Sequence, residues 1–331
     1  MKAAIVSLAG PELLPDEIAL LQAHPPAGII LFGRNIHGPL PLARLVGDLR
    51  EVLPPDALLL IDQEGGRVTR LKPPDFLEHP PARTIGHMFA KDPAIGARFA
   101  WLTGALIGLE CNEAGFDVVC APVLDVWRDG ATQAIGDRSY GAEPEAVAAL
   151  GQSFADGLLS AGVQPVGKHI PGHGQAPIDS HLGLPRLGTE IDLAPELSVF
   201  AACAGLPWMM TAHIVYESLD PHRPASLSPI VIEGVIRGAI GFDGVLVSDD
   251  LAMGALSGPA EALSMMALEA GCDIAMHCSG RIQDATAILT TVPGLSHAAL
   301  TRLARAAGTA DRSRLQLDRR ALIADRAGLW A

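Results

Sequence analysis

The chain has 331 residues, with 24 Lys+Arg against 37 Asp+Glu, a formal charge of −13, 49% apolar and 18% charged residues. The apolar share excludes a disordered chain, and the acidic balance excludes a general nucleic-acid binder, because nothing offsets repulsion from phosphates. The length suits one barrel-sized domain, and five cysteines (Cys111, Cys120, Cys203, Cys272, Cys278) without C-x-x-C spacing read as buried thiols of a reducing compartment, not a disulfide frame or zinc site.

Residues 1–10 (MKAAIVSLAG) hold too short an apolar run for a signal sequence, with acidic residues and Pro15 close behind, and read as a first strand. No run approaches the roughly 18 apolar residues of a membrane span, so a cytoplasmic protein off the membrane is expected. Short apolar runs then recur at 3–8, 28–32, 57–61, 117–120, 163–167, 208–211, 244–247 and 273–276. They are continuous rather than alternating, as in strands buried on both faces of a parallel sheet. Helical patterns lie between them at 40–53, 94–114, 143–161, 195–204, 229–240 and 259–270. Eight such units predict an α/β fold, a closed TIM-like (β/α)8 barrel, as a single domain over 1–331. Residues 69–97 read as loop-rich. The tail from about 314 to 331 reads as an amphipathic helix packed on the outside, and a monomer is expected.

Polar residues fall just after the runs: Arg34, Asp62 and Glu64, Asp125, Lys168 and His169, His213, Asp249 and Asp250. In a parallel barrel these strand ends meet at one rim, where barrel enzymes place their sites. That pattern predicts an enzyme before any motif is named.

In LIDQEGGRVTRL (60–71), Asp62 comes directly off a strand and Gly65-Gly66 allows a tight turn. A carboxylate there suits vicinal sugar hydroxyls, or it caps the next turn. KHIPGHG (168–174) is followed by DSH (179–181), and residues 171–185 hold three glycines and three prolines, hence a loop over the rim. Asp179 and His181 are two apart, so an extended segment would bring carboxylate to imidazole and favour a general acid. The alternative is an ordinary surface pair. In VLVSDDLAMGA (245–255), Asp249 follows a strand and opens a helix, either as a nucleophile or, with Ser248, as a cap, and Asp250 is the more structural of the two. Arg138 (IGDRSYG) offers a guanidinium fork or a loop ion pair. His173 supports its loop or touches substrate, and His213 is expected to line the pocket.

Together these segments resemble glycoside hydrolase family 3, specifically its single-domain bacterial β-N-acetylhexosaminidases. K-H-x-P-G-H-G followed by D-S-H carries most of that likeness. The resemblance implies a retaining β-glycosidase in which Asp249 is the nucleophile, His181 the acid/base and Asp179 its orienting partner. It places Asp62, Arg138, Lys168 and His169 on the terminal N-acetylglucosamine, with Arg70 of the same rim beside them. It implies a muropeptide substrate, GlcNAc-1,6-anhydroMurNAc with or without peptide, released in peptidoglycan recycling, and no cofactor or metal. MHCSG (276–280) departs from the ending expected on the eighth strand. Arg34, Arg67, Arg70, Arg138 and Lys168 would draw an anionic substrate to the rim of an acidic protein.

Three other readings stay open. The same site could perform phosphorolysis, since an imidazole base repels phosphate less than a carboxylate would. His169, His173, Asp179, His181 and His213 could be assembled as metal ligands. A sugar sensor without turnover would need neither nucleophile nor acid.

Overall fold

The structure is a computed structural model that describes residues 1–310 and 316–330. Its ten strands are β1 (Lys2–Val6), β2 (Pro26–Leu31), β3 (Leu58–Ile61), β4 (Val118–Val119), β5 (Gln164–Ile170), β6 (Arg186–Leu187), β7 (Trp208–Thr211), β8 (Val215–Tyr216), β9 (Val245–Val247) and β10 (Ala275–His277). Eight of them pair in parallel in the order β10-β1-β2-β3-β4-β5-β7-β9. A parallel bridge between Val247 and Ile274 brings the two ends of that order together. The result is the expected (β/α)8 barrel, and each expected apolar run overlaps one of its strands. The short β6 and β8 pair with each other outside it.

The continuous runs are explained by burial on both faces. Ile5, Ile30, Leu60, Val118, Val166, Met210, Val247 and Met276 share one apolar cluster inside the barrel. Their neighbours Ala4, Ile29, Leu31, Leu59, Ile61, Val119, Met209 and Leu246 belong to the outer layer under the helices. Successive strand residues point to opposite faces, so both sides must be apolar.

The helices are α1 (Pro15–Ala23), α2 (Pro39–Val52), α3 (Ala82–Lys91), α4 (Pro93–Glu113), α5 (Pro144–Ser160), α6 (Ala194–Ala202), a π-helix (Ile230–Ala239), α7 (Ala260–Ala270), α8 (Ile282–Thr291), α9 (His297–Thr309) and α10 (Arg319–Trp330). Five of them, α1, α2, α4, α5 and α6, carry proline in the first turn, where a missing N–H breaks no bond. These prolines start helices rather than interrupting them.

One expectation needs correction. Residues 69–97 are not all loop, because they contain α3 and the start of α4. The stripe Ala82, Ile85, Met88, Phe89 faces the core, but prolines at 80, 81 and 93 hide it from a reading by punctuation. Helix α4 is also long and apolar enough to cross a membrane, and 67% of its most apolar window is buried inside the fold. Its apolar surface is a core-helix surface.

Over its described part the tail forms α10 on the outside of the barrel, while residues 314, 315 and 331 lie outside the described residues. In α10, Leu322 joins Leu102 and Leu106 of α4, and Trp330 meets Phe99 at 5.1 Å between ring centroids.

Candidate active site

At the C-terminal ends of the strands lies a pocket of about 140 Å³. That is room for on the order of ten water molecules, the scale of one sugar ring. Asp62, Arg70, Arg138, Lys168, His169, His181 and Asp249 all line it. Asp179 stands behind His181. Hollows of about 830 and 1040 Å³ lie at the opposite end of the barrel and beside α10, but neither gathers ionisable groups from several strand ends.

The segment after β3 shows why the motif has its form. Asp62 and Glu64 reach the pocket, whereas Gln63 turns inward and closes the loop: its Oε1 accepts from the Arg70 and Leu71 N–H groups, and its Nε2 donates to the Leu71 carbonyl. Gly65 and Gly66 turn with φ of +94° and +55°, and a Cβ on either would strike Pro80 or Pro81. Only glycine fits there.

Lys168 joins the carboxylates. Its Nζ lies 2.9 Å from Asp62 and 2.6 Å from Glu64. Arg138 binds Glu64 through two bonds of 2.8 Å, and Arg70 reaches Asp62 at 3.2 Å. Burial works against ionisation of Asp62 and Glu64, but the Lys168, Arg70 and Arg138 charges outweigh it: Asp62 is held well below the usual carboxylate range and Glu64 at about 2. Both face the pocket as ionised acceptors. Neither Arg34 nor Arg67, both expected to add positive charge at the rim, lines the pocket itself. Arg34 donates to Ser7 Oγ and to the Leu8 and Cys278 carbonyls, and Arg67 to Asp137 and the carbonyls of residues 133–135.

Lys168 and His169 belong to β5 itself rather than following it. His169 Nδ1 meets Asp125 Oδ2 at 2.7 Å, and the His169 and His173 N–H groups donate to Asp125 Oδ1. Asp125 and Glu64 were marked by the sequence only as residues beyond strand ends. Their roles as the supports of His169 and Arg138 need partners from other strands, which no local motif encodes.

Asp249 is 9% exposed and lines the pocket floor. Burial opposes its ionisation, yet His169, His213, the Asp250 N–H and Lys168 keep it below the ordinary range, so it stands as a carboxylate. Residues beyond it form turns, and the next helix begins at Ala260, so Asp249 does not open a helix. Ser248 is not a cap either, since its Oγ accepts from Met276 N–H and pins β9 to β10. Asp250 is structural as expected, accepting from the Ala252 and Cys278 N–H groups.

His213 corrects the expectation that it lines the pocket. It is fully buried, with Nδ1 on Ser226 Oγ and Nε2 on the Asp250 carbonyl. Among the described residues no three His, Cys, Asp or Glu side chains gather as a metal-binding group. Of the five candidate ligands, His169, His173 and His213 bond Asp125, Ser180 and Ser226, and Asp179 and His181 bond each other.

His181 Nδ1 lies 2.8 Å from Asp179 Oδ1, which also accepts the His181 N–H. The pair forms within a turn closed by Leu182 N–H on the Asp179 carbonyl, not along an extended segment as expected. Partial burial raises the Asp179 pKa, but the two bonds from His181 lower it further. An ionised Asp179 makes Nδ1 the donor and leaves Nε2 as the ring nitrogen not held by it. The His181 side chain is 64% exposed.

The buried histidines predict acid sensitivity. Burial and the neighbouring His169 hold His173 at about 4, and burial lowers His79 and His213 as well. In the unfolded chain each titrates near ~6.5. Their contribution to stability is complete above that pH and is lost as pH falls toward 4. Thermal unfolding across pH 6.5 to 4 should show a falling Tm, and a flat Tm over that window would refute the assignment. The Asp62 and Glu64 contributions disappear in a separate, lower window, below about pH 4.

Residues 11–306 match the glycosyl hydrolase family 3 N terminal domain. A β-hexosaminidase of Methylococcus capsulatus is 39% identical over 329 residues, covering 96% of this chain and 93% of that protein. One of Alkalilimnicola ehrlichii is 38% identical over 282 residues, covering 83% and 80%. The crystal structure of NagZ from Neisseria gonorrhoeae in complex with N-trifluoroacetyl-D-glucosamine superposes with a TM-score of 0.88 at 31% identity, covering 99% of this chain and 97% of that one. The chain thus belongs to glycosyl hydrolase family 3 and is a glycoside hydrolase of the β-hexosaminidase kind.

Proposed function

We propose that the protein is a retaining exo-β-N-acetylglucosaminidase that removes terminal GlcNAc from cytoplasmic muropeptides during peptidoglycan recycling. The observation that carries this reading is a single small pocket shared by an ionised carboxylate, Asp249, and an exposed imidazole backed by a carboxylate, His181 with Asp179. In the first step an Asp249 oxygen attacks the anomeric carbon while the C1–O bond breaks and His181 Nε2 gives its proton to the departing oxygen. In the second, His181 takes a proton from water, which attacks C1 and releases Asp249. Asp62, Arg70, Arg138, Lys168 and His169 hold the ring. Asp62 and Glu64 accept from its hydroxyls, and Lys168 and Arg138 donate. A pocket of one-ring size supports exo action, and the NagZ complex with a glucosamine derivative supports the sugar class.

The test compares a 2-acetamido-2-deoxy-β-glucoside with its glucose analogue and assigns the anomer of the first product. The expected result is preference for the acetamido sugar and a β product. An α product would sink the retaining mechanism. Running the same reaction in phosphate buffer separates hydrolysis from phosphorolysis, since only the latter yields a sugar 1-phosphate.

The loop carrying His181 is seated on the chain that follows Asp249. Ala255 N–H donates to the Ser180 carbonyl, and a Cβ at Gly254 would strike the His181 carbonyl oxygen. Gly254→Ala should therefore lift His181 from its place and lower kcat by roughly 100-fold, the scale of an ångström-sized misplacement. Steady-state kinetics beside a thermal melt would check this, and full activity in a folded variant would refute it.

A further inference from the structure

We propose that Ser180 is the positioning residue of the proton-transfer step: its hydroxyl, bonded to His173, fixes where the Asp179–His181 pair stands over Asp249. The inference rests on the assignment of His181 as the acid.

Within the turn, the dyad is internally rigid, because both His181 Nδ1 and the His181 N–H are held by the one Asp179 oxygen. Such a pair moves as a body, so its attachment decides its place. Its neighbours in the turn differ sharply in burial. The Asp179 and His181 side chains are 30% and 64% exposed, whereas Ser180 between them is 3% exposed and points inward. Ser180 Oγ meets His173 Nε2 at 3.0 Å, and the Ser180 carbonyl accepts from Ala255 N–H. One residue thus ties the acid to two parts of the floor.

The hydroxyl's partner is not a passive wall. The His173 N–H donates to Asp125 Oδ1 at 2.7 Å, while Asp125 Oδ2 holds the pocket-lining His169. The His169 and His173 rings also meet edge-on at 5.6 Å. Contacts therefore run unbroken from a sugar-facing imidazole to the acid's anchor. His173 Nδ1 is buried without a hydrogen-bond partner, so Ser180 Oγ is the one hydrogen-bond partner that the described residues give that ring.

The test uses kcat/KM on two substrates with the same sugar. A methyl 2-acetamido-β-glucoside needs a proton on its leaving oxygen, and a 2,4-dinitrophenyl one does not. For Ser180→Ala the methyl glycoside should lose roughly five- to twentyfold, the scale of one buried hydrogen bond, while the aryl glycoside stays within about twofold. Ser180→Thr, which keeps the hydroxyl, should restore the methyl reaction. His173→Leu should copy Ser180→Ala, and the double variant should be no worse than either single one. These His173 variants also provide a second route if Ser180→Ala folds poorly. Equal losses on both substrates, or none on either, would overturn the positioning role. His181→Ala serves as the reference. If it shows the leaving-group selectivity and Ser180→Ala does not, the positioning role alone fails. If His181→Ala shows none, the acid assignment fails and takes this inference with it.

Discussion

Asp249→Ala is expected to lower kcat/KM by at least roughly 1,000-fold on every substrate, whatever its leaving group. Among the carboxylates that line the pocket, Asp62 and Glu64 are bound by Lys168, Arg70 and Arg138 and Asp250 Oδ1 accepts two backbone N–H groups, whereas Asp249 Oδ1 accepts only the Asp250 N–H. A free lone pair at a buried site, kept ionised by surrounding positive potential, is what attack at C1 requires. Deletion leaves a hollow of carboxylate size, and the variant itself supplies the decisive check. Azide entering that hollow attacks C1 from the face Asp249 used, displaces the leaving group once, and gives an α-glycosyl azide. A folded Asp249→Ala enzyme with near-normal rate would remove Asp249 from the mechanism. A β-azide would mean that the nucleophile survives elsewhere.

The barrel was legible because parallel strands buried on both faces must be continuously apolar, and runs such as 57–61 and 208–211 recur eight times between helical patterns. The rim was legible for a related reason. Charged residues gathered directly behind those runs at Asp62, Lys168 and Asp249, and all three line one pocket. What stayed hidden depends on partners distant in the chain. Glu64 matters because Lys168, 104 positions away, and Arg138, 74 positions away, both close on it. Asp125 matters because it meets His169 and His173. His213 looked like a pocket residue by its place after a strand, but its side chain turns to Ser226. Position in the chain fixed the end of the barrel at which each residue sits, and not the direction of its side chain. The turn at 179–183 shows the same limit. D-x-H brought the two groups together as expected, but by a backbone turn that also directs Ser180 inward, a consequence that the side-chain pattern alone does not carry.

His181→Ala is expected to divide the two halves of the reaction. The first half needs an acid only when the leaving group is poor. A 2,4-dinitrophenyl glycoside should therefore keep kcat/KM within about threefold, while a methyl glycoside loses roughly 100- to 10,000-fold. The second half needs a base for water whatever the leaving group was. On the activated substrate kcat should thus collapse even though kcat/KM does not, with KM falling in step as the glycosyl-enzyme accumulates. Azide needs no base. It should restore kcat on the activated substrate and yield a β-glycosyl azide, because it attacks the intermediate from the face opposite Asp249. The two variants therefore give azides of opposite configuration from one pocket, a result that loss of folding or of binding cannot imitate. Asp179→Asn offers the finer control. It keeps an acceptor for His181 Nδ1–H at 2.8 Å and removes only the carboxylate charge behind the ring. The methyl glycoside should then suffer less than in His181→Ala. Equal losses on both glycosides in His181→Ala would mean that the imidazole contributes binding rather than a proton, and Asp179 would then be holding a substrate contact in place.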